Sequence, residues 1–202
     1  MEQAVLLSVA YPAREYREIR KTSSKEKDKM KKNQKGFSLI ELLIVVAIIL
    51  IIAAIAIPNL LRARMAANEA SAVGSLRTIN TAAVSFNSTY QDGFPPTLPT
   101  LAGALGATAL CTGAQQIDPV LAAGQKSGYK FAWTAGAVAI NPVPAGCTAG
   151  FVDGYEVSAV PVSLGTTGQR SFCSDQSGVI RYNPAGTAVA TEAACQALLP
   201  LQ

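Results

Sequence analysis

Few residues in this 202-residue chain are equipped to do chemistry. There is no histidine, which removes the commonest general base and metal ligand. The nearest approach to an acid–base pair is Asp153 with Glu156, and these sit around a turn and a strand start, where solvated acids are ordinary. No Gly-rich phosphate loop, zinc-type cysteine spacing or CxxC is present. The expectation is therefore a protein that is not an enzyme, with no catalytic residue, no metal and no cofactor. Two features still ask for a reason: Glu41, and the cysteines Cys111, Cys147, Cys173 and Cys195.

Glu41 stands out because of what surrounds it. Residues 42–57 contain only Leu, Ile, Val and Ala, and in the 21 residues 37–57 the polar members are Ser38 and Glu41. As a helix this run is about 30 Å long, enough to cross a bilayer. A carboxylate within such a run costs roughly 2.5–3.5 kcal/mol at mid-helix. Lys31, Lys32 and Lys35 precede the run, which keeps the N-terminus cytoplasmic and places the rest of the chain outside. An ordinary signal anchor, with Glu41 reaching the interface, is one reading. A cleaved secretory signal is another, because Ala54-Ile55-Ala56 resembles a small-residue cleavage site. The apolar run exceeds the ~7–15 residues of a signal-peptide core, however, and a helical pattern continues past Pro58.

The segment Lys35-Gly36-Phe37-Ser38-Leu39-Ile40-Glu41 resembles the processing site of type IV prepilins and type II secretion pseudopilins. The resemblance covers residues 36–90 well and the remainder in general layout. It implies a basic leader, residues 1–36, removed by a prepilin peptidase between Gly36 and Phe37. Phe37 would become an N-methylated terminus, and Glu41 would pair with the terminus of a neighbouring subunit during assembly. Pro58 falls where the family's helix commonly kinks. Met30 offers a second start with a seven-residue leader, so residues 1–29 read either as an overextended start or as part of a genuinely long leader. The implied partners are copies of the chain in a helical filament, the peptidase, inner-membrane assembly machinery and, before assembly, the membrane. The implied location is a single-pass inner-membrane subunit that becomes an extracellular pilus or a periplasmic pseudopilus.

Charge agrees with this division. Residues 1–36 carry ten Lys/Arg against five Asp/Glu, and the remainder seven against eight. The basicity belongs to the leader and gives no hint of nucleic-acid binding.

The elements that position these residues are legible in outline. The run 37–57 forms the membrane and assembly helix. Residues 58–91 continue it in amphipathic form, with Ala66, Ala70, Val73, Leu76, Ala83, Phe86 and Tyr90 at helical spacing. Arg62, Arg64, Asn68, Glu69, Ser71, Ser75, Arg77 and Asn80 are expected on the other side. One helix over 39–90 results, ended by Asp92-Gly93-Phe94-Pro95-Pro96. Residues 92–202 form a head. At most a short helix is expected across 98–110. Strands are expected at 129–134, 155–162, 170–173 and 179–182, the last two a hairpin around Gly178. Pro161 belongs at an edge or a strand end. The class is α+β, an antiparallel sheet of three or four strands resting on the helix. The aromatics Tyr129, Phe131, Trp133, Tyr155 and Phe172 read as core.

Four cysteines outside the cytoplasm argue for disulfides, and four allow three pairings. Resemblance selects among them. Pilins often close a C-terminal loop from sheet to tail, which implies Cys173–Cys195 and leaves Cys111–Cys147, with residues 174–194 as a surface loop. Pseudopilins resemble one another in an acid-lined calcium loop near the C-terminus. Here Asp175 is the only acid between Val157 and Thr191, which favours the pilin.

Overall fold

The computed structural model describes residues 36–90, 93–103, 108, 110–136, 139–140, 147 and 150–201. The expected leader up to residue 35 and the helix-ending Asp92 lie outside them. By its contacts the chain forms two units, Met1–Ala53 and Ala54–Gln202. One helix, α1 (Leu39–Tyr90, 52 residues), contributes to both and contains Pro58 without interruption. Proline removes one backbone donor and crowds the preceding turn, but the Ala- and Leu-rich sequence on either side sustains the helix.

In the second unit the buried positions of α1 are Glu69, Ala72, Val73, Ser75, Leu76, Ile79, Asn80, Ala82, Ala83 and Phe86. Val73, Leu76, Ala83 and Phe86 take the places their spacing predicts. Ala66 and Ala70 are exposed, however, while Glu69, Ser75 and Asn80, expected on the solvent side, are buried. The contact face is rotated toward polar residues because the head offers Glu69 and Asn80 hydrogen-bond partners. Arg62, Arg64 and Arg77 are exposed, as expected.

A 3-10 turn (Leu98–Leu101) and a short helix, α2 (Pro119–Ala122), follow. The turn stands at the start of the helix expected over 98–110 and does not continue as one: Ala102 is already extended, at φ −88° and ψ −159°, and 104–107 and 109 lie outside the described residues. Among the described residues the strands are β1 (Gln125–Lys126), β2 (Tyr129–Ala135), β3 (Ala139–Ile140), β4 (Phe151–Val152), β5 (Tyr155–Pro161), β6 (Ser171–Asp175), β7 (Arg181–Asn183) and β8 (Leu199–Pro200). Helix α3 (Glu192–Gln196) precedes β8. The main sheet runs β1-β2-β5-β6-β7-β8, antiparallel throughout, and β3-β4 form a separate ribbon. The class is α+β. Three or four strands were expected and the main sheet has six, because two-residue β1 and β8 extend it at either edge. Pro161 closes β5, and Gly178 takes φ +74° in the β6–β7 turn, a conformation natural to glycine.

Register sorts the side chains onto two faces. Tyr129, Phe131 and Trp133 of β2 lie with Val157, Ala159 and Pro161 of β5 and with Ser174 and Phe172 of β6. That face meets α1 where Asn80 hydrogen-bonds Ser174 and Tyr155; Trp133 stacks on Tyr155 within the sheet at 4.3 Å, and Phe86 of α1 lies edge-on to Phe151 of the ribbon at 5.4 Å. The opposite face carries Thr134, Glu156 and Asp175 in one row, and Ala132, Ser158 and Cys173 in the next. Strand β6 is buried at every residue, and β5 at all but Val160. Both faces of the central sheet are therefore covered.

Replacing fully buried Phe86 by Ala is expected to cost about 3–5 kcal/mol, whereas Val84→Ala, at a half-exposed position of the same helix, should stay within about 0.5 kcal/mol. Denaturant unfolding of the detergent-solubilised chain checks this. Equal losses would place the contact face elsewhere.

Candidate functional site

The N-terminal part of α1 has no cover from the other described residues. Phe37 is 81% and Leu39 80% exposed, and every apolar residue from 42 to 57 except half-exposed Ala53 is exposed. By length and composition the helix is able to cross a membrane. At its start the Ser38 N–H donates to Glu41 Oε2 at 2.9 Å, and the Leu42 N–H donates to Ser38 O at 3.2 Å. A side chain in the first turn reaching back in this way satisfies a backbone donor that the helix cannot. Glu41 thus caps its own helix through one oxygen.

Further along, α1 is tied to the head by polar groups. Glu69 accepts from the Gln169 N–H at 2.9 Å and the Arg170 N–H at 3.2 Å through Oε1. Its Oε2 accepts from Arg170 Nε at 2.9 Å and Nη2 at 2.7 Å. Burial alone opposes the charge on Glu69 and is the largest single influence. The Gln169 N–H, the Arg170 side chain and the Arg170 N–H together outweigh it and hold the carboxyl below its usual range. The Asn68 amide donates to Thr167 O at 2.9 Å. Asn80 donates to Ser174 Oγ at 2.8 Å and accepts from the Tyr155 hydroxyl at 3.1 Å. These residues were not singled out from the sequence, yet the signal was there: 69, 72, 76, 80 and 83 recur at helical spacing, so Glu69 and Asn80 occupy core positions.

Both disulfides join the expected cysteines, Cys111 to Cys147 with Cα atoms 5.6 Å apart and Cys173 to Cys195 at 6.0 Å. The segment 174–194 is only partly a surface loop, since it contains β7 and buries Asp175, Ile180 and Val189. Asp175 Oδ1 takes the Ser177 N–H at 2.9 Å and the Ser177 hydroxyl, and Oδ2 takes the Gln196 amide at 3.0 Å. Burial again opposes the charge, and these donors with nearby Arg181 hold the Asp175 carboxyl low. Glu156, expected to be solvated, is buried in β5. Among the described residues no group of three or more His, Cys, Asp or Glu is placed to hold a metal.

Residues 31–57 match a family model described as the prokaryotic N-terminal methylation motif. Over 60 residues the chain is 53% identical to the type IV wide pilus major component PilA4 of Thermus thermophilus. The amino-terminal segment is therefore similar to that of a type IV pilin. The match covers 30% of this chain and 43% of that pilin, so the chain spans less than half the length of this relative. No solved structure matches the chain.

Because the Glu69 carboxyl is held below its usual 4.5, its contribution is whole above that pH and is lost as pH falls through the lower folded value. Glu69→Gln is expected to destabilise the head of this pilin-like chain by about 1–3 kcal/mol at neutral pH. It should also flatten the acid limb of the stability profile. An unchanged acid limb would show that the pair with Arg170 carries no charge-dependent stability.

Proposed function

We propose that the chain is a structural subunit of a type IV pilus-like filament, made as a membrane-inserted precursor and assembled through residues 37–57. The observation that carries this reading is an apolar helical run that no other described residue covers and that lies within the methylation-motif match. Such a surface has two suitable partners, lipid before assembly and the same segment of neighbouring subunits afterwards.

In this reading a prepilin peptidase cuts between Gly36 and Phe37, since glycine before the scissile bond presents no side chain to exclude. The new α-amine on Phe37, with a reference pKa near ~7.7–8.0, is positive enough to meet a carboxylate. Glu41 uses Oε2 on its own Ser38 N–H, which leaves Oε1 for the terminus of an adjacent subunit. In a filament core of low dielectric an unpaired charge is costly, so the pair sets register. The subunit sits in the inner membrane with its N-terminus cytoplasmic and then moves to the fibre. The leader, the methylated Phe37 and the absence of catalysis belong to the same proposal. A surface pilus is favoured over a secretion pseudopilus because Asp175 is saturated by Ser177 and Gln196 and has no acid companion between Val157 and Thr191.

Glu41→Ala separates capping from assembly. Loss of a helix-terminal acid alone costs about 0.3–1 kcal/mol, so the subunit should remain processed and stably inserted. Electron microscopy of sheared surface material is expected to show few or no fibres. Normal fibre yield from this variant would rule out the intersubunit pair.

A further inference from the structure

Glu156 has no place in the assembly scheme and violates the usual rule for buried acids. It is 3% exposed, and neither carboxylate oxygen has a hydrogen-bond partner. A buried carboxylate without donors loses its hydration and gains nothing in return, so the neutral acid is the form that burial favours.

Its neighbours make the assignment specific. In register Glu156 faces Thr134 of β2 on one side and Asp175 of β6 on the other. Asp175, at 0% exposure, already has donors on both oxygens from Ser177 and Gln196. Two acids thus lie side by side on one face of the sheet, and the Ser177 and Gln196 donors serve Asp175. Helix α3 packs over this face, across β5 and β6. It brings Glu192 and Gln196 and no cation. The Gln196 amide is shared between Asp175 and Glu192 Oε1, the latter at 2.9 Å, and the Gln176 amide also goes to Glu192, at 2.6 Å. Arg181 of β7 acts on Asp175. The Cys173–Cys195 bridge, with Val189 and Leu198 packed on it, holds α3 down.

We propose that Glu156 is a proton-binding site closed by the C-terminal tail, residues 191–201, so that covering the sheet takes up one proton and loosening the tail releases it. The reaction is a simple protonation of a carboxylate and needs no other reactant. The disulfide limits how far the tail lifts when the proton leaves. Burial pushes the Glu156 carboxyl up to about 7, and the Thr134 side chain opposes this in part. The covered form binds the proton more tightly than the open one. Its advantage is therefore whole below the ordinary 4.5 and is lost as pH rises through about 7. This is the opposite sense to Glu69 and Asp175.

Hydrogen exchange of residues 191–201 in the full-length, detergent-solubilised chain tests the coupling, with protection factors corrected for the intrinsic pH dependence. In C173A/C195A, where the tether is gone, tail protection is expected to fall at least ~10-fold from pH 5.5 to 8.5. In C173A/C195A/E156Q it should be the same at both. Equal protection at both pH values in C173A/C195A, or a pH dependence that survives E156Q, overturns the proposal. Should the untethered chain not fold, the carboxyl-carbon NMR titration of Glu156 in the intact chain decides. A midpoint near 7 supports the site, and one near 4.5 overturns it.

Discussion

The structure depends on one constraint: residues 42–57 are apolar on all sides, and no other described residue covers them. Burying a Leu or Ile side chain is worth about 1.5–3 kcal/mol relative to leaving it in water. A run of Leu, Ile and Val on this scale cannot stay solvated. Its state is therefore decided by the other molecules that cover it. The one polar interaction at its start, Glu41 with the Ser38 N–H, satisfies the helix end without hiding any apolar surface.

The head faces a different problem. Its contact with α1 joins the small residues Ala72, Ala82 and Ala83 to the large apolar Leu76, Ile79 and Phe86, packing that carries little direction of its own. Glu69 with Arg170, and Asn80 with Ser174 and Tyr155, fix register and rotation through directed hydrogen bonds. The two disulfides close loops beyond this contact. In the chain-entropy view each such bridge contributes roughly 2–4 kcal/mol by restricting the unfolded state.

Much of this was legible from the residues. The bounds of α1 follow from uninterrupted apolar and then amphipathic periodicity, and the four longer strands from their aromatic and β-branched runs. The strands β1 and β8 were not legible, because two residues carry no period. Glu69 and Asn80 were placed on the wrong side because polarity was read as exposure, although their spacing put them in the core. Glu156 was misread for a related reason. A sheet with one covered face has a solvated face, and only the disulfide-held tail shows that this sheet has two covered faces. The cleavage position and Glu41 came from resemblance to a motif, and the 60-residue likeness to a type IV pilin bears on that same end of the chain.

The most direct test of the account is the mass of the N-terminal peptide from subunits recovered in fibres sheared from the cell surface. The account predicts a peptide that begins at Phe37 and carries an added methyl group on its amine. A subunit that begins at residue 57, one that retains Gly36, or protein confined to the periplasm with none in the sheared fraction would contradict it.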